Sequence, residues 1–353
     1  MKKELLIGTA LVSTLGVASV AEAVTATMSG NHQTGIRFNS PTAGDDTRAQ
    51  VNDNNFTVSL EETTDGGMTI SSSFMLMNEA GGGSSDEDAG FSLAFTDGSK
   101  LDVINAGNAS GSHDISVPGS AGAESVTVTT SNKAPTGLDF MTGATVYGVE
   151  YHTADDFLAD GLSMSFSLST GDGANKSATL KNDGHYAIGG TYVTDAGDTT
   201  LTIGAGYSSM EHKVTGTQPS SEEGGMHIGV SAVTGDLTVA VGFADGDSLE
   251  AQATAGTLNT EVDGEVVKAG VKYVTGDMTF NVGIVSGEGQ DSHTIGTAGT
   301  SDDSYDKTSA SVSYAVASGV TAILGYSDVD SSNDGVNDNT DGSSWYIGAN
   351  MSF

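Results

Sequence analysis

Cysteine is absent from this 353-residue chain. There is no disulfide framework and no thiolate nucleophile, and a structural zinc site loses its usual ligands. For a chain bound for an oxidising compartment the absence is also safe. Basic residues are scarce: 12 Lys and Arg stand against 46 Asp and Glu, a formal net charge of −34. Such a charge repels phosphate and excludes DNA or RNA as a partner. It also fits a solubility or salt adaptation, because the acids gather in connecting stretches such as Asp86-Glu87-Asp88, Glu222-Glu223 and Asp302-Asp303. Catalytic motifs are missing as well. His32, His113, His152, His185, His212, His227 and His293 are scattered singly, with no H-E-x-x-H spacing, and there is no G-x-S-x-G elbow or P-loop. The chain reads as no enzyme; a hydrolase would have to assemble its site from distant strands. Long apolar runs are lacking beyond the first 23 residues, and nothing there approaches the roughly 18 apolar residues of a spanning helix. With 49 glycines and many small polar residues, a dense aliphatic core is not expected either.

What is present begins at the two ends. Met1–Ala23 has a basic start (Lys2, Lys3), an apolar stretch from Leu5 to Ala21, and Ala21-Glu22-Ala23, an A-x-A pattern. This predicts a secretory signal peptide cut after Ala23, leaving residues 24–353 as one domain. A retained anchor fits less well, because Gly8, Thr9, Ser13, Thr14 and Gly16 interrupt the run. At the other end Trp345, Ile347, Ala349, Met351 and Phe353 alternate with Tyr346, Gly348, Asn350 and Ser352. That is a strand of period two running to an aromatic residue.

The same alternation fills the space between. Leu162, Met164, Phe166 and Leu168 alternate with serines; Leu237, Val239, Val241 and Phe243 with Thr238, Ala240, Gly242 and Ala244; Met278, Phe280, Val282 and Ile284 with Thr279, Asn281 and Gly283. Runs of this kind describe a membrane barrel with one face to lipid and one to water. Accordingly Trp345, Ile347, Leu162, Phe166, Val241, Phe280 and Tyr326 are expected outward, and Ser163, Ser165, Gly242, Asn281 and Tyr346 inward. A weak repeat, Val193–Asp198, Val233–Asp236, Val274–Asp277 and Val316–Gly319, supplies Gly and Asp for tight hairpins. Propeller blades would need four short strands per repeat, whereas each repeat here holds two longer ones. Short connections near 63–67, 96–99, 153–161, 195–198, 235–236, 276–277 and 318–319 alternate with long ones. The long ones lie near 39–53, 79–89, 108–143, 171–184, 210–225, 247–265, 287–306 and 328–343. The count gives an all-β, transmembrane antiparallel barrel of about sixteen strands, closed and without edges.

With signal peptide, strand count, alternating connections and terminal Phe353 in hand, residues 24–353 resemble a Gram-negative general porin. The resemblance implies an outer-membrane location, outer-membrane lipid as partner, a homotrimer, and passive passage of small hydrophilic solutes and ions. It implies that the third long connection, Asn108–Gly143, folds into the lumen as a constriction, although its Ser125–Thr130 stretch is β-like and carries no evident helix. It makes Phe353 an assembly signal. A substrate-selective channel of the same fold is the nearest alternative, and a secreted acidic adhesin or surface-layer protein without a pore is the other.

Two groups of residues are candidate sites. Of the ten basic residues in 24–353 (12 less Lys2 and Lys3), five fall on or beside lumen positions: Arg37, Lys100, Lys268, Lys272 and Lys307. Asp114, Glu124 and Asp139 of the third connection are expected to oppose them across the pore. The last connection crowds Asp328, Asp330, Asp334, Asp338 and Asp341 around glycine, oxygen ligands of the type Ca²⁺ takes. A solvated acidic loop explains the same residues. No other cofactor is implied.

Overall fold

Alternating apolar and small side chains bury nothing in a single strand, so the chain must pair every strand on both sides. The computed structural model describes residues 24–42, 44–78, 90–103, 108–119, 148–169, 180–214, 221–250, 260–294, 302–332 and 341–353. Its strands begin with β1 (Thr25–Pro41), β2 (Thr47–Thr63), β3 (Thr69–Asn78) and β4 (Phe91–Ala94). They continue as β5 (Lys100–Val103), β6 (Gly148–His152), β7 (Leu162–Ser169) and β8 (Leu180–Ala196). β9 (Thr199–Val214), β10 (Ser221–Thr234), β11 (Leu237–Glu250) and β12 (Thr260–Thr275) follow. The chain ends with β13 (Met278–Thr294), β14 (Asp302–Ala317), β15 (Val320–Ser332) and β16 (Gly342–Ser352).

Each strand pairs antiparallel with its sequence neighbours, and β1 pairs with β16, closing a sixteen-stranded barrel. The closing ladder runs from Asn31↔Ser352 to Pro41↔Gly342. Phe353 extends it by exchanging two backbone hydrogen bonds with Gly30, each 3.1 Å. No edge is left to pair with another chain.

The expected repeat is a set of hairpins. Gly197, Gly235 and Gly276 each occupy the first central position of a two-residue turn with φ of 69°, 56° and 57°. That is the glycine-first pattern of type II′, whose twist matches the strands it joins. In the fourth repeat the glycine, Gly319, comes second (φ 73°), and the ladder shifts register between Ala315 and Ala317.

Six of the eight long connections are shorter than the sequence suggested; those after β3 and β5 are not. Strand pairing runs on to Pro41 and resumes at Thr47, so most of the stretch expected as the first loop is ladder. β9 and β10, β11 and β12, β13 and β14, and β15 and β16 extend in the same way into polar sequence. Once an alternating face has fixed the register, backbone hydrogen bonds carry a ladder on whether or not the side chains alternate.

The two faces separate as the alternation predicts. Phe166, Val241, Phe280, Trp345 and Ile347 are exposed, with Leu162 and Tyr326 beside them. Ser165, Asn281 and Tyr346 are buried on the opposite face. On the apolar face the tilted rings of Tyr326 and Trp345 lie 4.7 Å apart, and those of Tyr186 and Tyr207 6.2 Å apart.

Candidate functional site: a loop segment on a glycine track

Residues 108–119 of the third connection run across the small-residue face of β7 to β14. A 3₁₀ turn at Gly111–His113, which the sequence did not suggest, bends the segment near its start. What lets the backbone approach is a series of glycines, one or two per strand. A β-carbon at Gly189 would meet the Ala109 carbonyl, and one at Gly204 the His113 carbonyl. At Gly206 it would fall 2.7 Å from Ser110 Cα, and at Gly229 2.6 Å from Ile115 Cβ. Gly270 and Gly283 are closed off by the Pro118 carbonyl. The track ends at Ser309, whose hydroxyl donates to the Gly119 carbonyl.

The ladders show how the track lies. Gly189 pairs with Gly206; Gly204, Gly229 and Gly242 form a second row; Gly270, Gly283 and Ser309 form a third. The segment steps from row to row as it crosses the strands. Ile115 and Val117 bury themselves against Ala240 on the way.

Near its start the segment is tied to the wall by polar side chains. Asp102 on β5 accepts from Ser92 at 2.5 Å, Lys100 at 2.8 Å and His152 Nε2 at 3.0 Å. His152 Nδ1 lies 2.8 Å from Ser165 Oγ, and His113 Nε2 lies 2.8 Å from the same oxygen. His113 Nδ1 reaches Thr191 Oγ1 at 2.7 Å. Ser112 donates to Glu150 at 2.7 Å, the Ala109 N–H to Ser167 at 3.1 Å, and His227 Nε2 to the Ser110 carbonyl at 2.7 Å. Asp102, His152 and Ser165 thus line up as carboxylate, imidazole and hydroxyl. Ser165 is only 1% exposed, however, and two imidazoles share its oxygen, so it is not placed to attack a solute. Beyond Lys100 and the inward Ser165, sequence reading missed these residues, although Asp102, Glu150 and His152 are large polar side chains at inward positions of β5 and β6 where other strands carry Gly or Ser.

The expected cations share the small-residue face. Lys268 and Lys307 flank Val285 in one row, beside the Pro118–Gly119 end of the segment. Lys272 pairs with Asn281 further toward the short turns, and Arg37 pairs with Tyr346. Lys307 is buried, whereas Lys100 is engaged with Asp102. Asp114 lies over the β9–β10 side, 3.8 Å from His227 Nδ1, and so stands along the segment from Lys268 and Lys307. Glu124 and Asp139 lie outside the described residues, as do Met1–Ala23 and Ser125–Thr130.

Of the acidic group, Asp328 and Asp330 share the face of Tyr326 on β15, and Asp330 feels the carboxylates of Asp341, Asp306 and Asp328. Asp334 and Asp338 lie outside the described residues. Among the described residues no three His, Asp or Glu side chains are arranged to hold a metal ion.

Comparison with known proteins agrees with this architecture. The family model for Gram-negative porins matches residues 8–334. The outer membrane channel DcaP of Acinetobacter baumannii superimposes with a TM-score of 0.68 at 12% identity, covering 96% of this chain and 100% of that one. The anion-selective porin from Comamonas acidovorans gives 0.62 at 13%, covering 94% and 100%. The trimer form of OmpT from Vibrio cholerae gives 0.63 at 12%, also covering 94% and 100%. Among proteins of curated function none matches in sequence. A family model matched along most of the chain, on a closed barrel of sixteen strands, places this protein among the Gram-negative porins, the channels of the outer membrane.

Proposed function

We propose that the barrel holds a water-filled lumen through which small hydrophilic solutes and ions diffuse passively, narrowed by the third connection. The carrying observation is the glycine track: a closed barrel keeps one face free of side chains where residues 108–119 run along it. On this reading the small-residue face lines the lumen and the exposed apolar face meets lipid. Polar walls replace part of a solute's hydration, and the charges on them bias which ions enter.

The assembly is read as a homotrimer, in line with the trimer form of the Vibrio cholerae relative. The apolar face supports this at one place. Ile347, Ala349 and Met351 continue across β1 to Ile36, Thr34 and His32, and then to Gln50, Asn52 and Asn54 on β2. His32 bonds Asn54 there. Polar groups facing hydrocarbon are costly, and neighbouring subunits would cover them. Residues 1–23 serve as a cleaved export signal, and the acidic group at Asp328, Asp330, Asp334, Asp338 and Asp341 remains a candidate Ca²⁺ loop.

Purified protein in a planar bilayer should give discrete current steps proportional to voltage, and proteoliposomes should swell in small sugars but not in large oligosaccharides. A folded protein that yields neither steps nor swelling would refute the channel.

A further inference from the structure

The polar contacts at the start of the segment have a direction, and that direction depends on protonation. Asp102 is a carboxylate and only accepts, so His152 Nε2, 3.0 Å away, carries the proton. Neutral His152 is then bare at Nδ1 and accepts from the Ser165 hydroxyl at 2.8 Å. With its one proton committed, Ser165 must accept from His113 Nε2 at 2.8 Å. Neutral His113 is then bare at Nδ1 and accepts from Thr191 at 2.7 Å. Thr191, His113, Ser165, His152 and Asp102 form a one-way donor chain. It links the loop segment to β8, β7, β6 and β5, and it closes as long as at least one of the two imidazoles is neutral.

We propose that this chain is an acid-sensitive latch on the constriction: charging both His113 and His152 breaks it at Ser165 and frees the start of the segment to move into the lumen. The proposal rests on the reading of this face as the lumen wall.

A proton added at His152 Nδ1 turns that nitrogen into a donor; Ser165 then donates to His113 Nε2, and the His113 proton shifts to Nδ1 and is given to Thr191. A proton added at His113 Nδ1 is accepted by the Thr191 oxygen, which turns its own hydrogen away. With both charged, Ser165 receives two donors and has no acceptor for its own hydrogen, and two imidazolium rings face each other across one oxygen.

The surrounding charges decide how the latch responds. Lys100 and Asp102 face it from β5, and Glu150 from β6 beside His152. β7 and β8 meet His113 with the uncharged Ser165 and Thr191. From β10 comes His227, whose Nε2–H is bound to the Ser110 carbonyl and whose bare Nδ1 faces Asp114 at 3.8 Å. His113 belongs to the connection, not to a spanning strand. Burial first, then the nearby His152 and His227, push its pKa down to about 4. A released His113 titrates near the free value of about 6.5, so it binds more protons than the latched one between these limits. The latch is therefore fully held above that window and weakens as pH falls through it. Protonated His227 would gain a partner in Asp114 and act in the opposite sense, but Asp114 is half exposed and such a pair is weak.

The test is single-channel conductance of the full-length protein in planar bilayers as pH is lowered and restored. Conductance should fall reversibly by about two-fold or more between about pH 7 and about pH 4, as a histidine-controlled device would. H113Q and S165A should each flatten that response, whereas H32Q, on the opposite face, should keep it. Because the chain has no cysteine, the pair A109C and S167C can serve as a lock across the contact between the Ala109 N–H and Ser167. Oxidised, it should abolish the acid response; reduced, it should restore it. A wild-type channel indifferent to pH, or variants and locked protein that respond like the wild type, would overturn the latch. Absence of current at every pH would instead count against the channel reading itself.

Discussion

At the scale of single residues the site is made as much by missing side chains as by present ones. Gly270 sits on β12 where a β-carbon would run into the Pro118 carbonyl, whereas one at Gly242 would find Val117 Cγ2 at an ordinary 3.5 Å. The two glycines have the same secondary structure and differ in what lies above them. G270V should keep the strand, since β-branched residues suit ladders, but must displace the segment. Overpacking of this kind typically costs about 1–3 kcal/mol. The expected outcome is an altered conductance with the barrel still heat-modifiable on gels, while G242A leaves conductance unchanged. Equal behaviour of the two variants would show that the segment does not depend on the track. Other residues hold turns instead of the site. The hydroxyl and backbone N–H of Ser99 bind the Asp97 carboxylate and keep it below the usual range, ordering the turn between β4 and β5.

At the scale of elements, the strand with the clearest pattern also closes the barrel. Phe353 adds two backbone bonds to the β1–β16 ladder and packs 6.1 Å from Phe56 on β2. Deleting Phe353 should lower the amount of folded protein reaching the outer membrane while leaving the conductance of inserted channels unchanged; normal surface levels would refute its part in assembly. β7, β11, β13 and β16 were legible because lipid on one side and small residues on the other impose a strict period of two. The distal half of β2 was not, because Arg48, Gln50 and Asn52 put polar side chains on the face that is apolar in other strands, while Val51 on the other face packs against Ile323 and Tyr346. Parity likewise put Arg37, Lys100, Lys268, Lys272 and Lys307 on one face. Ser165 was read as an inward position, but its ladder partner His152 was not singled out, and His113 reaches them only when the connection folds back. The track itself was half visible: Gly242 was read as an inward position, but which glycines lie beneath the loop depends on ladder register.

At the scale of the whole molecule, the charge of −34 and the cations of the small-residue face act at different places. Asp328, Asp330 and Asp306 sit on distal strand segments near the long-loop rim, where they draw cations toward the mouth. Their reach is limited to about 8 Å at physiological ionic strength. Lys268 and Lys272 sit deeper, on alternate residues of β12 on either side of Gly270, where the segment crosses. Lys307 is buried and acts on a passing ion through its field alone. An entering cation is first concentrated and then opposed, so a weak cation preference is expected at low salt, fading as salt screens the rim. Replacing the half-buried Lys268 and the exposed Lys272 together, K268Q with K272Q, removes the opposing step and leaves the rim intact. Reversal potentials across a salt gradient should then shift toward stronger cation preference, most clearly at low ionic strength. If they do not move, neither lysine borders the ion path, and the selectivity must be set by the rim or by residues elsewhere on the third connection.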